Sequence, residues 1–231
     1  MPHLFLDLDN TLVGTEDLVL PVFLTLLKKD YGLDVSEDAF YERFLGKAGK
    51  DLYRAISAHY GVILDEDGLL QKQIEANHAA ILETGFTMAE GMIECLTDLQ
   101  SRGWTMTIVS NSADDKIRLT LDNISGDDDK RLKALVEGRV ISCNDRQKPD
   151  PYGYLKALEL TGAQAGRDTI FCIEDSGTGA RAGLAAGLPV LGFTGFSRNK
   201  DATRQNLLAI GCAAVFDHWA DLPAHLPQRA A

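Results

Sequence analysis

Asp7 and Asp9 stand two residues apart at the end of a short apolar run, Leu4-Phe5-Leu6-Asp7-Leu8-Asp9. A nearly continuous apolar run of this length predicts a strand buried on both faces, as in a parallel sheet. Such a strand has no structural use for carboxylates. The pleat puts both on one side if the strand continues. Like charges so placed repel each other unless a cation lies between them. Mg²⁺ suits the position: it takes oxygen ligands, usually uses one or two protein carboxylates, and leaves room for phosphate. Asn10-Thr11 then turns the chain.

Two more apolar runs end in polar residues. Thr105 to Val109 leads into Ser110-Asn111-Ser112, and Thr169 to Ile173 leads into Glu174-Asp175. Open α/β sheets bind ligands at the C-terminal ends of their strands, so these groups share one edge. Lys148, in the loop Lys148-Pro149-Asp150-Pro151, can reach it. Each piece alone has an ordinary reading: Ser-Asn as a helix cap, Lys148 as a solvated lysine, Glu174-Asp175 as favourable to the dipole of the helix that Ser176 starts. Together, carboxylates, hydroxyl, amide and ammonium make a metal and phosphate site.

The elements that must position these groups alternate after Gly91. Helices are expected at 92–102, 114–122, 152–160 and from Ser176 to Gly187, and strands at 105–109, 169–173, 189–193 and 213–216, with 139–143 a short apolar segment. Strands separated by helices of this length predict right-handed βαβ units on a parallel sheet. Gly126 to Lys130 reads as a charged, solvated loop. The span from Thr15 to Thr87 reads as helices only: 18–29, 34–44 behind Ser36, 50–60, and 67–83 with Leu69, Leu70, Ile74, His78 and Ile81 or Leu82 near one face. The fold class is therefore α/β, a Rossmann-like parallel sheet flanked by helices. Residues 1–14 and 88–231 form the core domain, and 15–87 an inserted all-helical domain.

The acids outnumber Lys plus Arg by 34 to 23, a net charge of −11, which argues against general nucleic-acid or anionic-membrane binding. A local metal and lysine can still reverse that sign for an anionic substrate. The four cysteines are widely and irregularly spaced, and Cys95 and Cys172 lie in apolar runs, so buried free thiols are expected. The longest apolar segment, Leu18 to Leu27, is too short to span a bilayer, and the N-terminus does not resemble a signal peptide. A cytoplasmic monomer is the default expectation.

The order Asp-x-Asp, Ser-Asn, Lys-Pro, Glu-Asp resembles motifs I to IV of the haloacid dehalogenase superfamily, with Asp7-Leu8-Asp9-Asn10-Thr11-Leu12-Val13 as motif I. The segment from Ile173 to Gly187 resembles the β-phosphoglucomutase and phosphoglycolate phosphatase branch, whose helical C1 cap falls between motifs I and II. The closing segment, from Leu207 to Pro223, resembles sugar-phosphate phosphatases of that branch, such as those acting on 6-phosphogluconate. The resemblance implies a Mg²⁺-dependent phosphatase for a small phosphorylated metabolite: a sugar, sugar-acid or polyol phosphate. It implies Asp7 as nucleophile and Asp9 as acid and base. Asp7, the Asp9 carbonyl and Asp175 would hold Mg²⁺, with Glu174 supporting through water. Ser110, Asn111 and Lys148 would hold phosphoryl oxygens, and Thr11 would orient Asp9. The helical domain would set specificity, with Phe44 to Lys50 as its most suggestive piece through Lys47 or Lys50.

Dehalogenases and phosphonatases of the superfamily lack the second motif I acid, so Asp9 favours phosphoesters. Mutases of the branch carry a histidine shortly after motif I, where this chain has Leu18, Val19 and Leu20. A catalytically idle binding module would be expected to have lost Asp7 or Asp9. Relatives commonly show Asp where Gly14 stands, so the flap contacts there should differ.

Overall fold

The computed structural model describes residues 1–44, 47, 49–126 and 128–227. The chain divides into two compact units, Met1–Gly14 with Phe86–Ala231, and Thr15–Gly85.

The first unit is built on a six-stranded parallel sheet. Its strands are β1 (His3–Leu6), β4 (Thr105–Ser110), β5 (Val140–Ser142), β6 (Ile170–Glu174), β7 (Val190–Phe193) and β8 (Ala214–Phe216), in the order β5-β4-β1-β6-β7-β8. The chain fills one side of β1 and then the other, so β1 is central and marks the crevice where α/β sheets bind ligands. Leu6 pairs with Ile108 on β4 and with Ile173 on β6. This register brings Asp7, Val109 and Glu174 level just past the paired residues. Leu4, Phe5 and Leu6 are fully buried, as the unbroken apolar run requires.

Two short strands that the sequence does not mark, β2 (Val13–Gly14) and β3 (Thr87–Met88), pair antiparallel at the two ends of the expected helical span. Two residues per strand carry too little alternation to be seen in a sequence. Phe86 already belongs to this unit: its N–H donates to the Asn123 carbonyl, and its side chain is buried. Gly14 lies against Phe196, and a Cβ there would sit 2.6 Å from the ring. The aromatic ring takes the space that a side chain at this position would need.

Of the charged stretch expected as a loop from Gly126 to Lys130, Gly126 is non-helical and Asp127 lies outside the described residues, but Asp128 to Lys130 instead start a helix, Asp128–Val136. Leu132, Leu135 and Val136 are buried at helical spacing, and Asp128 and Asp129 occupy the first turn, where the dipole favours acids. The charges mark a helix start. The other helices of this unit are Met92–Ser101, Asp114–Asp122, Tyr152–Thr161, Gly177–Ala185, Lys200–Ile210 and the short Leu222–His225.

The second unit has four helices among its described residues: Glu16–Tyr31, Glu37–Phe44, Gly49–Tyr60 and Glu66–Thr84. Ser36 caps the second, accepting from Ala39 N at 3.2 Å. Phe23, Phe40, Phe44, Tyr53 and Ile56 form its core. The expected apolar face of the fourth helix is corrected. Leu69 and Ile81 are buried, but Ile74 and Leu82 are 55% and 62% exposed. Gln73, Ala76 and Ala80 are partly buried instead. The stripe holds at Leu69, Leu70 and Ile81 but not at Ile74 and His78, where the small alanines instead let a neighbouring helix approach closely. All four cysteines are free and buried. Among the described residues, no helix is long and apolar enough to cross a membrane.

Asn10 is at φ 57°, in the left-handed region where Asn is tolerated better than most residues. Leu12 and Val13 both donate to the Leu8 carbonyl, at 3.0 and 3.1 Å, closing the turn that follows Asp9. Replacing Asn10 with Gly should be tolerated, whereas Asn10→Val should cost about 1–2 kcal/mol in urea unfolding.

Candidate active site

Asp7 extends β1 by one residue, and its N–H donates to the Ile173 carbonyl at 3.0 Å. Both its oxygens are engaged. Oδ1 accepts from Lys148 Nζ at 2.6 Å and Oδ2 from Thr11 Oγ1 at 3.1 Å. Lys148 also pairs with Glu174 Oε1 at 2.7 Å and donates to the Val109 carbonyl at 2.7 Å. An ammonium has three N–H donors, and all three are committed here. Glu174 Oε1 further accepts from the Tyr154 hydroxyl. The Tyr154 ring centroid lies 5.4 Å from Lys148 Nζ, within cation–π range.

Lys148 and Glu174 expose 3% and 1% of their side chains. Burial alone would lower the lysine, but Asp7 and Glu174 outweigh it and hold the ammonium well above its ordinary value. The carboxylates fare worse. Burial pushes Glu174 up to about 7 against the pull of Lys148, with Asp7 adding to the rise. Burial also raises Asp7, with Lys148 pulling it back and Asp9 adding to the rise. One lysine does not neutralise this group.

Ligand atoms of Asp7, Glu174 and Asp175 lie within 4.8 Å of one another. Glu174 Oε2 is buried and receives no hydrogen bond, so it is an oxygen that a bound cation would satisfy. Three hard oxygen donors fit Mg²⁺. Gly179 makes the arrangement possible, since a Cβ there would fall 1.7 Å from Glu174 Oε2. Ser176 Oγ accepts from Gly179 N at 3.1 Å and fixes this helix start beside the carboxylate.

Asp9 faces a different set of partners. Its Oδ2 accepts from Ser110 Oγ at 3.2 Å and Ser112 Oγ at 2.8 Å, while Oδ1 receives no hydrogen bond. Lys116 Nζ lies 3.7 Å from Oδ1. Asn111 Oδ1 accepts from Lys148 N at 2.8 Å and so anchors the lysine loop. Asp7, Asp9, Thr11, Ser110, Asn111, Lys148, Glu174 and Asp175 are thus joined through one network or cluster at the strand ends. The sequence reading passed over Ser112, Lys116 and Tyr154. The signal for Ser112 was there, in the first turn beyond β4. Tyr154 and Lys116 sit on helices and carry no motif of their own.

The sequence profile described as haloacid dehalogenase-like hydrolase matches residues 4–193. The chain belongs to that family. It is 28% identical over 249 aligned positions to the plasmid CbbY protein of Cupriavidus necator, covering 100% of this chain and 92% of that protein. It is 22% identical over 221 positions to the 6-phosphogluconate phosphatase of Escherichia coli, covering 95% and 91%. A family hydrolase of Deinococcus radiodurans, solved with bound phosphate and sodium, superposes with a TM-score of 0.81 at 27% identity, covering 97% and 93% of the two chains.

Lys148→Met should destabilise the chain by about 3–5 kcal/mol at neutral pH, because it leaves buried carboxylates unpaired. Thermal unfolding with Mg²⁺ should recover part of the loss. Gly179→Ala puts a better helix former in a helix, an expected gain of about 0.8–1.0 kcal/mol. The displaced Glu174 should instead lower the melting temperature and weaken Mg²⁺ binding in calorimetry.

Proposed function

We propose that this hydrolase is a Mg²⁺-dependent phosphatase that cleaves a small phosphorylated sugar, sugar acid or polyol through an aspartyl-phosphate on Asp7. The observation that carries this reading is Asp7 itself. It is held at both oxygens, at the end of the central strand, beside two carboxylates that could share a divalent cation with it. Asp7, Asp175, Glu174 and the backbone of Asp9 would hold Mg²⁺. When bound, the cation supplies positive charge to the phosphoryl oxygens and lets the acids stay ionised.

The chain's own groups do the remaining work. An Asp7 oxygen forms a bond to phosphorus while the bond to the ester oxygen breaks. Asp9 gives its proton to the departing alkoxide, which leaves as an alcohol. Asp9, now a carboxylate, takes a proton from water. The hydroxide attacks phosphorus and the Asp7–phosphorus link opens, releasing phosphate and restoring both acids. Ser110 and Ser112 hold Asp9 between these transfers, and Thr11 and Lys148 keep Asp7 aimed. Lys148 counters charge that builds on the phosphoryl group, and Ser110 and Asn111 line the strand end that receives it.

The helical unit supports a choice among substrates. It encloses a cavity of about 190 Å³ lined by Glu16, Phe23, Phe40, Tyr41, Lys47 and Tyr53. Tyr41 donates to Glu16 at 3.3 Å and Tyr53 to Gln73 at 2.6 Å. Of the two lysines singled out in the sequence, Lys47 lines this cavity, while Lys50 pairs with Asp67 at 2.6 Å on the surface. Leu45, Gly46 and Ala48 of the same segment lie outside the described residues. Val19 and Leu20 also line the cavity and offer no proton for a mutase reaction. The names of the relatives, a CbbY protein and a 6-phosphogluconate phosphatase, support a sugar-derived phosphate.

Phosphate release should be measured from a panel of phosphorylated sugars, polyols and sugar acids. Release should require Mg²⁺, stop with chelator, and fall by a factor on the order of 10³ or more in Asp7→Asn, which removes the nucleophile. Absence of release from every compound overturns the reading.

A further inference from the structure

We infer that Lys116 is the cation that leaves its carboxylate partner to bind the phosphoryl group of the substrate. The inference rests on the phosphatase reading and assigns a residue that no motif of the sequence marks.

Lys148 is fully committed inside the protein, to Asp7, Glu174 and the Val109 carbonyl. It has no N–H left for an incoming anion unless it gives up one of those partners. The strand ends meanwhile gather Asp7, Asp9, Glu174 and Asp175. A phosphate dianion entering that field is repelled, and a divalent cation offsets only part of the charge. A further positive group that can move is needed.

Lys116 meets that need by position and by looseness. It stands in the first turn of Asp114–Asp122, the helix that begins directly after Ser110-Asn111-Ser112. Its Nζ lies 3.7 Å from Asp9 Oδ1, beyond hydrogen-bond distance, and its side chain is 55% exposed. Asp9 does not depend on it, because both serine hydroxyls already donate to Oδ2. Exposed pairs of this kind contribute little, so the ammonium can be redirected at small cost. A phosphoryl oxygen near Asp9 would lie within reach of the same flexible stem and would offer the charge-assisted hydrogen bond that Asp9 does not.

The inference predicts that phosphate binding weakens while Mg²⁺ binding does not. Isothermal titration calorimetry would follow Mg²⁺ into the metal-free chain, and inorganic phosphate into the Mg²⁺-loaded chain, for native protein, Lys116→Met and Lys116→Arg. Lys116→Met should weaken phosphate binding about tenfold, the loss of one charge-assisted bond. It should leave Mg²⁺ affinity unchanged or tighter, since a positive charge beside the carboxylates is gone. Lys116→Arg should keep phosphate affinity within about threefold, because the charge remains. Unchanged phosphate affinity in Lys116→Met overturns the inference. Equal weakening of phosphate and Mg²⁺ also overturns it, by giving Lys116 a structural role only. A native chain that binds neither ligand overturns the phosphatase reading, and the inference with it.

Discussion

A single buried ammonium between two carboxylates governs the architecture of the site. Lys148 bridges Asp7 and Glu174, which come from neighbouring strands. Withdrawing such charges from water costs several kcal/mol per ion, and the attraction returns it only when geometry and extra hydrogen bonds are good. Much of the surrounding structure supplies that geometry. The Val109 carbonyl takes the third proton, Asn111 holds the lysine's backbone, Tyr154 steadies Glu174, and Gly179 leaves the carboxylate its space. These contacts come from β4, from the loop after it, and from two helices. The triad therefore reads as a constraint that the fold satisfies, and weakly as a source of stability.

That constraint also explains the electrostatic state of the acids. Asp7 and Glu174 are both pushed up by burial in spite of Lys148, and Glu174 Oε2 is left without a donor. A purely structural ion pair would be expected to saturate its oxygens. Here one side of the cluster is tied down, while Glu174 Oε2 on the other receives no hydrogen bond, an asymmetry that suits the proposed cation. Fixed dipoles and charges arranged before the reaction need no reorganisation during it. Asp9 stands apart from this arrangement, bound by two serine hydroxyls. Separate environments for two carboxylates of one motif allow one to act as nucleophile and the other to exchange protons.

The legible parts of the sequence were those written in short-range chemistry. The apolar run before Asp7 marked β1, and Ser110, Glu174 and Asp175 were found because polar residues at the ends of buried strands stand out. Tyr154 and Lys116 were passed over because their partners are distant in sequence: Tyr154 reaches Glu174, and Lys116 reaches Asp9 across the fold. Only the strand order, which sets β1 between β4 and β6, creates those neighbours. The stretch from Asp128 was misread for a different reason. Its charges belong to a helix start, and the buried Leu132, Leu135 and Val136 that identify it come later. In the fourth helix, alanines and a glutamine share the inner stripe between the buried Leu69 and Ile81, where partial burial leaves little trace in hydropathy.

The two units carry their side chains under unequal constraint, and this bears on how such a protein can change substrate. In the sheet unit, Lys148, Asp7 and Glu174 are buried and mutually dependent, so loss of one partner costs about 3–5 kcal/mol. That is a large share of the roughly 5–15 kcal/mol that holds a domain folded. In the helical unit, the pairs Lys50–Asp67 and Arg54–Asp51 are exposed, and solvent-screened pairs of this kind contribute little. The cavity there is framed by aromatic residues, with Glu16, Tyr41 and Lys47 as polar members. Substituting a polar lining residue alters the cavity wall without unbalancing a buried charge cluster. Under the proposed function, chemistry and selectivity would thus rest on side chains with different energetic freedom, and new substrates would be more readily reached through the helical unit than through the strand ends.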